Sequence, residues 1–202
     1  MRNLVQIGSF MKETRRSFML GPPESPLQAS LAFLRQARFH LSQDYLIKIE
    51  SALAVLIDEQ IWWRPNEQSN SLGNLILHLA GNARQWIIAG VGGAEDLRDR
   101  PREFAERGGI SKGELIDLLK TTLAEVDAVL AKVETEVLLS HSDSALQREC
   151  VAQGFKQTVL DAIFHVVEHF SYHTGQIVYI AKWHATGQLR FYDDRRLAGK
   201  GD

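Results

Sequence analysis

Apolar residues recur every three to four positions along four long stretches of this chain, and almost nowhere do they alternate with polar residues as in a half-buried strand. The stretches cover residues 27–59, 71–90, 111–136 and 157–186. Each predicts an amphipathic helix, and Gly90 and Gly187 stand where the second and fourth helices should end. Four amphipathic helices without a sheet predict an all-α fold, a four-helix bundle, whose sites are built from inward side chains on facing helices.

The segments between these helices are polar. Ser111 and Glu114 match a capping box, in which a hydroxyl and a carboxylate bond free amides at the start of the third helix. The charged residues 95–107 predict a solvated connection, and residues 137–156 predict an irregular one. The single cysteine, Cys150, lies in the irregular interval with no base near it in sequence, so it is a poor candidate for a nucleophile.

The limits of the helical periodicity divide the chain into three parts. We expect a leader over residues 1–26, a bundle domain over 27–190 and a polar tail over 191–202. Arg15 and Arg16 superficially resemble a twin-arginine export signal, but the apolar run of about 7 to 15 residues that such a signal requires does not follow. The leader is therefore expected to be loose, or docked on the bundle of a cytoplasmic protein.

Composition and charge narrow the choice of partners. The chain has 202 residues, of which 45% are apolar, enough for one soluble domain with a sizeable core. Its 23 Lys and Arg against 25 Asp and Glu give a net charge of −2, which predicts neither nucleic acid nor an anionic membrane as a partner. No run approaches the roughly 18 apolar residues of a membrane span. A single cysteine excludes an intrachain disulfide and favours a reducing compartment.

Polar residues form a strip beside the apolar stripe on two of the predicted helices. At about 100° per residue, three residues of the second helix share one flank, and three of the fourth helix share the corresponding flank. These residues are His78, Asn82 and Gln85 on the second helix and His169, His173 and Gln176 on the fourth. If the two helices are neighbours, both strips can converge on one pocket.

Three neutral imidazoles are the ligand set of an open, catalytic-type metal site. A His-x-x-x-His pair alone is weak evidence, because the same pair could cap, stack or hydrogen-bond within a core. His165 lies one turn before His169, and three histidines spaced by four residues span roughly 12 Å of helix, so it is expected to line the pocket rather than bind the ion. The remaining histidines are interpreted as surface or packing residues: His40, His141 and His184.

The chain resembles the DinB/YfiT-like superfamily of metal-binding four-helix proteins in two histidine motifs, Leu77-His78-Leu79-Ala80-Gly81-Asn82 and His169-Phe170-Ser171-Tyr172-His173-Thr174-Gly175-Gln176. It is similar to the DUF1572 branch in the longer pieces 61–67 and 69–74. The resemblance covers about residues 27–186 and places the metal ligands on His78, His169 and His173.

The resemblance also has implications for chemistry and assembly. It implies a divalent ion, with zinc or nickel as the first expectation and iron or manganese as alternatives. It implies a small-molecule substrate or a low-molecular-weight thiol as partner, because better understood members are thiol-dependent transferases or isomerases, and it implies a homodimer. Thr174 stands where many relatives carry arginine, so the anion-binding role of that position is in doubt here.

Two functions follow as hypotheses. In the first, a metal held by three histidines activates either a thiol, in an S-transferase type of reaction, or water. Asn82, Gln176 or His165 would orient the ligands or the substrate. In the second, the protein is a non-catalytic, stress-linked metal-binding or interaction protein.

Three residues outside the histidine strips carry two interpretations. Trp63, Arg64 and Trp86 either pack over the bundle ends, with Arg64 solvated, or wall the pocket mouth, where they would hold an anionic substrate.

Overall fold

Long helices dominate the computed structural model, which describes residues 23–187 and 189–191. In chain order the elements are α1 (Pro26–Phe39), a π-helical segment (His40–Tyr45), α2 (Leu46–Ala54), α3 (Asp58–Ile61), α4 (Leu72–Ala83), a second π-helical segment (Arg84–Val91), α5 (Arg100–Ala105), α6 (Lys112–Ser140), α7 (Ser144–Gln147), β1 (Glu149–Ala152), β2 (Phe155–Thr158) and α8 (Val159–His184). The helical run from α1 to α2, then α4 with its π-helical extension, α6 and α8 make the predicted all-α four-helix bundle, which is confirmed.

Hydroxyl side chains mark where the long helices begin. Ser71, Ser111 and Thr158 are the N-caps of α4, α6 and α8, and each accepts a hydrogen bond from the amide three residues on. In α6 the carboxylate of Glu114 bonds back to the Ser111 amide, which confirms the predicted capping box. These caps fix the helix starts within the local sequence.

The core is formed where the apolar stripes of the four helices meet. Side chains from each of them are almost fully buried, among them Leu34, Ile49, Ile76, Leu119 and Phe170. The helix α4 packs against both α6 and α8. This arrangement makes the second and fourth bundle helices neighbours, which is the condition under which their polar strips can converge.

Two of the predicted boundaries are wrong. The first helix ends at Ala54 rather than near residue 59, and a separate short helix, α3, follows it. The interval 137–156 is not simply irregular, because α6 continues to Ser140 and a two-stranded antiparallel hairpin follows α7. The turn of that hairpin places Gln153 and Gly154 at positive φ, the conformation that a two-residue hairpin loop requires. Strands of four residues in a polar sequence leave little periodicity to detect.

Cys150 lies on the buried side of β1 rather than in an open loop. Burial raises the pKa of its thiol, which keeps it protonated and unreactive near neutral pH. Among the described residues no helix is long and apolar enough to cross a membrane. The predicted leader up to residue 22 and the tail from residue 192 lie outside the described residues.

Candidate metal centre

Three imidazoles from α4 and α8 meet at the contact between these helices. His78 is 5% exposed, and His169 and His173 are half-buried. Their ligand nitrogens all lie within 4.8 Å of one another, and the Nε2 atoms of His78 and His169 are 2.9 Å apart. Tetrahedral zinc, with Zn–N distances of about 2.0–2.1 Å, holds its nitrogens roughly 3.3 Å apart. The three side chains therefore stand close to the spacing that one small divalent ion requires.

A buried carboxylate holds the outer nitrogen of His78. Nδ1 of His78 lies 2.8 Å from Oε2 of Glu103. Arg98 Nη2 also lies 3.0 Å from this nitrogen, but the carboxylate oxygen is nearer and can only accept. We therefore place the proton on Nδ1, so that Nε2 turns a lone pair toward His169. A carboxylate behind a metal-binding histidine sets the imidazole's tautomer and orientation in this way in many metal sites.

Arg98 neutralises that carboxylate. Its Nε and Nη2 donate to the two oxygens of Glu103 at 2.7 and 2.9 Å, and its Nη1 donates to Oε1 of Gln85 at 2.9 Å. The side chains of Arg98 and Glu103 are 3% and 9% exposed. Burial alone would raise the pKa of Glu103, but the hydrogen bonds from Arg98 and His78 outweigh it and hold this pKa below its usual value. Glu103 is therefore a fixed negative charge behind His78.

Gly81 creates the space for this carboxylate. A β-carbon at position 81 would overlap the side chain of Glu103 and would approach Arg98 Nε within 3.1 Å. The absence of a side chain one turn after His78 therefore lets Glu103 reach the imidazole.

The outer nitrogen of His173 is also held. Its Nδ1 lies 2.7 Å from Oε1 of Gln176, which accepts a hydrogen bond from Nδ1–H and leaves Nε2 of His173 as the free ligand atom. The ring of Tyr172 lies across the His173 ring, with centroids 5.0 Å apart, on the exposed side of the site. Two of the three imidazoles are thus oriented by partners outside the cluster.

The surroundings keep the α8 imidazoles neutral. Burial, together with the neighbouring His173 and His78, lowers the pKa of His169 to about 3. Burial also lowers the pKa of His173, although its hydrogen bond to Gln176 acts in the opposite direction. A metal binds the unprotonated imidazole, so the pKa values of these two residues favour an ion over a proton near neutral pH.

A second histidine layer lies one turn below His169. Nε2 of His165 accepts from Nδ2 of Asn82 at 3.2 Å, and its ring stacks on Trp86 with centroids 3.9 Å apart. Burial lowers the pKa of His165. Asn82 is 2% exposed, and its Oδ1 has no partner among the described residues. The structure thus brings Asn82, His165 and Trp86 beside the ligand cluster, with Trp86 buried against His165.

Trp63 and Arg64 make their contacts elsewhere. Trp63 lies edge-on to the ring of His184 at 4.7 Å between centroids. Arg64 is half-buried, and its Nη2 donates to Oδ1 of Asn74 and to the carbonyl of Glu106. These contacts favour side-chain packing over a pocket mouth, although Arg64 is not solvated. Thr174 is buried on the core side of α8.

The interpretation of residues 95–107 as a solvated connection is wrong. The segment contains α5 and supplies Arg98 and Glu103, the two charges behind His78. Asp99 as N-cap and Pro101 in the first turn are signals for a helix start that the sequence contains. Its charge pattern, however, gave no indication that two of these charged residues would be buried.

Comparison with known families gave one match. A family model described as a protein of unknown function (DUF1572) matches residues 28–192. No curated protein and no solved structure matches the chain.

Proposed function

The chain belongs to the DUF1572 family, and on that premise we propose that it binds a divalent metal ion through His78, His169 and His173 and activates a small thiol or water. The wider DinB/YfiT-like relationship stays a prediction. The structure and the family comparison themselves give a three-histidine cluster in a helical DUF1572 domain.

One observation carries the proposal: residues outside the cluster orient two of its three imidazoles through hydrogen bonds. The Nδ1 atoms of His78 and His173 are bound by Glu103 and Gln176, so the Nε2 atoms face inward. Imidazoles that only fill a core have no need of oriented lone pairs at one point.

Three protein ligands leave a coordination position for a small molecule. A divalent ion bound there would act as a Lewis acid, lowering the pKa of a thiol or of water so that its anion forms near neutral pH. Imidazole donors bind several divalent metals and do not by themselves select one. We expect zinc or nickel first, with iron or manganese as alternatives. A thiol partner fits the reducing compartment predicted from the single cysteine.

His165 and Asn82 supply the polar groups next to this position. Because Nε2 of His165 accepts from Asn82, the neutral imidazole carries its proton on Nδ1, and stacking on Trp86 fixes the ring plane. The unpartnered Oδ1 of Asn82 offers an acceptor in the same layer. We assign these two residues the task of orienting the substrate beside the ligand cluster.

Metal titration followed by an activity assay tests the proposal. The full chain, stripped of metal, is titrated with Zn²⁺ and Ni²⁺ by calorimetry, and one ion per chain is expected. The loaded protein is then assayed for transfer of glutathione or cysteine to a chromogenic electrophile. Binding of one ion without transfer of any thiol would contradict the thiol reaction and leave activation of water or a non-catalytic metal-binding protein. Absence of stoichiometric binding would refute the metal centre itself.

A further inference from the structure

A cavity of about 600 Å³ lies between α4, the segment 94–110 and the first half of α6. None of the three proposed metal ligands lines it. Arg98 and Glu103 form a wall between the cavity and the metal centre, since both line the cavity and both contact His78. The volume falls within the roughly 300–1,000 Å³ that is typical of sites for small organic ligands. The cavity is therefore separate from the histidine cluster and large enough for a ligand of its own.

Aliphatic side chains form much of the cavity wall. Leu77, Ile88 and Ile110 are half-buried, Leu118 is 38% exposed and Leu97 is 78% exposed. These side chains come from α4, the π-helical segment after it, the segment 94–110 and α6. Their surface would be removed from water by a hydrocarbon group placed in the cavity, which favours a ligand with an apolar part.

The charged residues around the cavity are mainly acidic. Among the described residues, six carboxylates and three guanidinium groups line it, a net charge of −3. Arg84 is paired with Glu125 and Arg98 with Glu103, whereas the third guanidinium, that of Arg102, is exposed and forms no ion pair in the described part of the chain. The remaining four carboxylates also form no ion pair with any described residue: Glu95, Asp96, Asp99 and Glu106.

Three of these four carboxylates are held in place by uncharged donors. Oδ2 of Asp96 accepts from Nε2 of Gln85 at 2.7 Å. Oδ1 of Asp99 accepts from the amide three residues on at 3.2 Å, and Oε1 of Glu106 accepts from the next amide at 3.0 Å. These bonds orient the carboxylates without neutralising them. Negative charges around a concave site with apolar walls attract cations.

We propose that this cavity binds a small organic cation. Its ammonium group lies among the four carboxylates without ion pairs, and its hydrocarbon part lies against the leucine and isoleucine side chains. An organic anion would meet a net charge of −3, and a simple inorganic cation would gain nothing from the aliphatic wall. Because most of these carboxylates are exposed, binding should weaken as the salt concentration rises.

Three compounds with the same hydrocarbon part test the charge: 4-phenylbutylamine, 4-phenylbutanol and 4-phenylbutyrate. Each is titrated into the full, zinc-loaded chain at pH 7.5 and low salt, and nitrogen-15 NMR follows the backbone amides. The amine is expected to bind with a Kd below about 1 mM, at least about fivefold more tightly than the alcohol, and the acid should not bind. Amide signals of residues 94–106 should move. Equal affinity for the alcohol or the acid, or shifts confined to other parts of the chain, would overturn the proposal.

Matched substitutions at exposed positions locate the site. Glu95→Lys should weaken amine binding at least about fivefold, whereas Glu136→Lys on α6, outside the cavity, should not. Leu97→Ser should weaken it at least about threefold through lost apolar contact. Leu139→Ser, on α6 and also 78% exposed, should leave the Kd unchanged. If neither cavity variant differs from its control, the amine does not occupy this cavity.

Removal of the ion separates this proposal from the metal centre. Because no proposed metal ligand lines the cavity, the Kd of the amine should be the same with Zn²⁺ and after chelation. A protein that bound no metal would still be expected to bind the amine. Loss of amine binding on chelation would instead show that the amine coordinates the ion, and would refute the cavity as its site.

Discussion

His78, Glu103 and Arg98 form a short polar chain that is almost closed to solvent. Charges in such a place are tolerated only when they are paired, because desolvation of each one costs several kcal/mol. Arg98 satisfies both carboxylate oxygens, and the carboxylate in turn orients the imidazole. At the scale of single residues, the orientation of His78 therefore depends on Glu103 and Arg98, which are not among the proposed metal ligands.

The ligand assignment predicts which histidine variants lose metal. His173→Ala and His169→Ala should each remove most of the bound ion, because each deletes one of three nitrogens that meet at one point. His184→Ala provides the matched control on the same helix, since its ring contacts Trp63. Metal content after dialysis against a weak chelator measures the difference. A His173→Ala protein with full occupancy would eliminate this ligand set.

The role of Glu103 predicts an effect on metal affinity. Glu103→Gln should weaken metal binding by about 10- to 100-fold, the range found when a residue that orients a metal-binding histidine is changed. Glu136→Gln makes the same chemical change on an exposed face and should leave the affinity unchanged. Competition with a chromogenic chelator, below the melting temperature of both proteins, gives the two constants. Equal affinities would show that Glu103 is structural only.

At the scale of elements, α5 is too short to be stable alone, since helices of one or two turns gain little from propensity. It is held by contacts with α4, where Nδ2 of Asn74 donates to the carbonyls of Glu103 and Glu106. Glu103 therefore reaches the site because Asn74 of α4 binds the backbone of α5 and because Gly81 leaves space for the carboxylate.

Gly81→Ala should detach the carboxylate from His78 despite improving helix propensity. The added methyl overlaps Glu103, so we expect a loss of about 1–3 kcal/mol in the free energy of unfolding, as in overpacked cores, and weaker metal binding. Gly113→Ala, at an exposed helical position where a β-carbon meets nothing closer than 3.9 Å, should be neutral or stabilising by up to about 1 kcal/mol. Urea denaturation of both variants tests the contrast, and equal effects would contradict the close approach.

At the scale of the whole molecule, the apolar stripes of four helices already supply a core, so folding should not require the ion. Chelated protein should keep its helical circular dichroism signal and melt at a lower temperature. An ion that binds only the folded state stabilises it by about 2.7 kcal/mol at a hundredfold excess over its Kd. A melting temperature that chelation leaves unchanged at pH 7.5 would indicate that no ion had been bound.

The metal-free protein should lose stability in mild acid. In the folded state the pKa of His169 is lowered from 6.5 to about 3, so between these values the unfolded chain binds more protons than the folded chain. The free energy of unfolding should therefore fall as pH falls from about 6.5 to about 3, by up to about 1.4 kcal/mol per pH unit. Urea midpoints of chelated protein at pH 7.5, 6.0 and 5.0 measure this slope. His169→Gln should reduce it and His141→Gln should not; equal slopes would exclude His169 as the cause.

The sequence by itself determined the helices, their caps and the polar strips on α4 and α8. These features are local: periodicity, a hydroxyl at Ser111 and the spacing of His169 and His173 all act within a few turns of one helix. The resemblance to the DinB/YfiT-like superfamily predicted which of the histidines would act together, and the structure brings those three to one point.

Only the tertiary structure decided what lies behind and around the histidines. Glu103 and Arg98 come from a segment whose charges predicted solvent exposure. They are buried because Gly81 and His78 of α4, 17 to 25 residues away in sequence, surround them. The hairpin of β1 and β2 depends on pairing between strands too short to show a period. Burial and pairing of this kind are properties of contacts between elements, which no local pattern encodes, because the same charged residues would be solvated if α4 did not lie beside them.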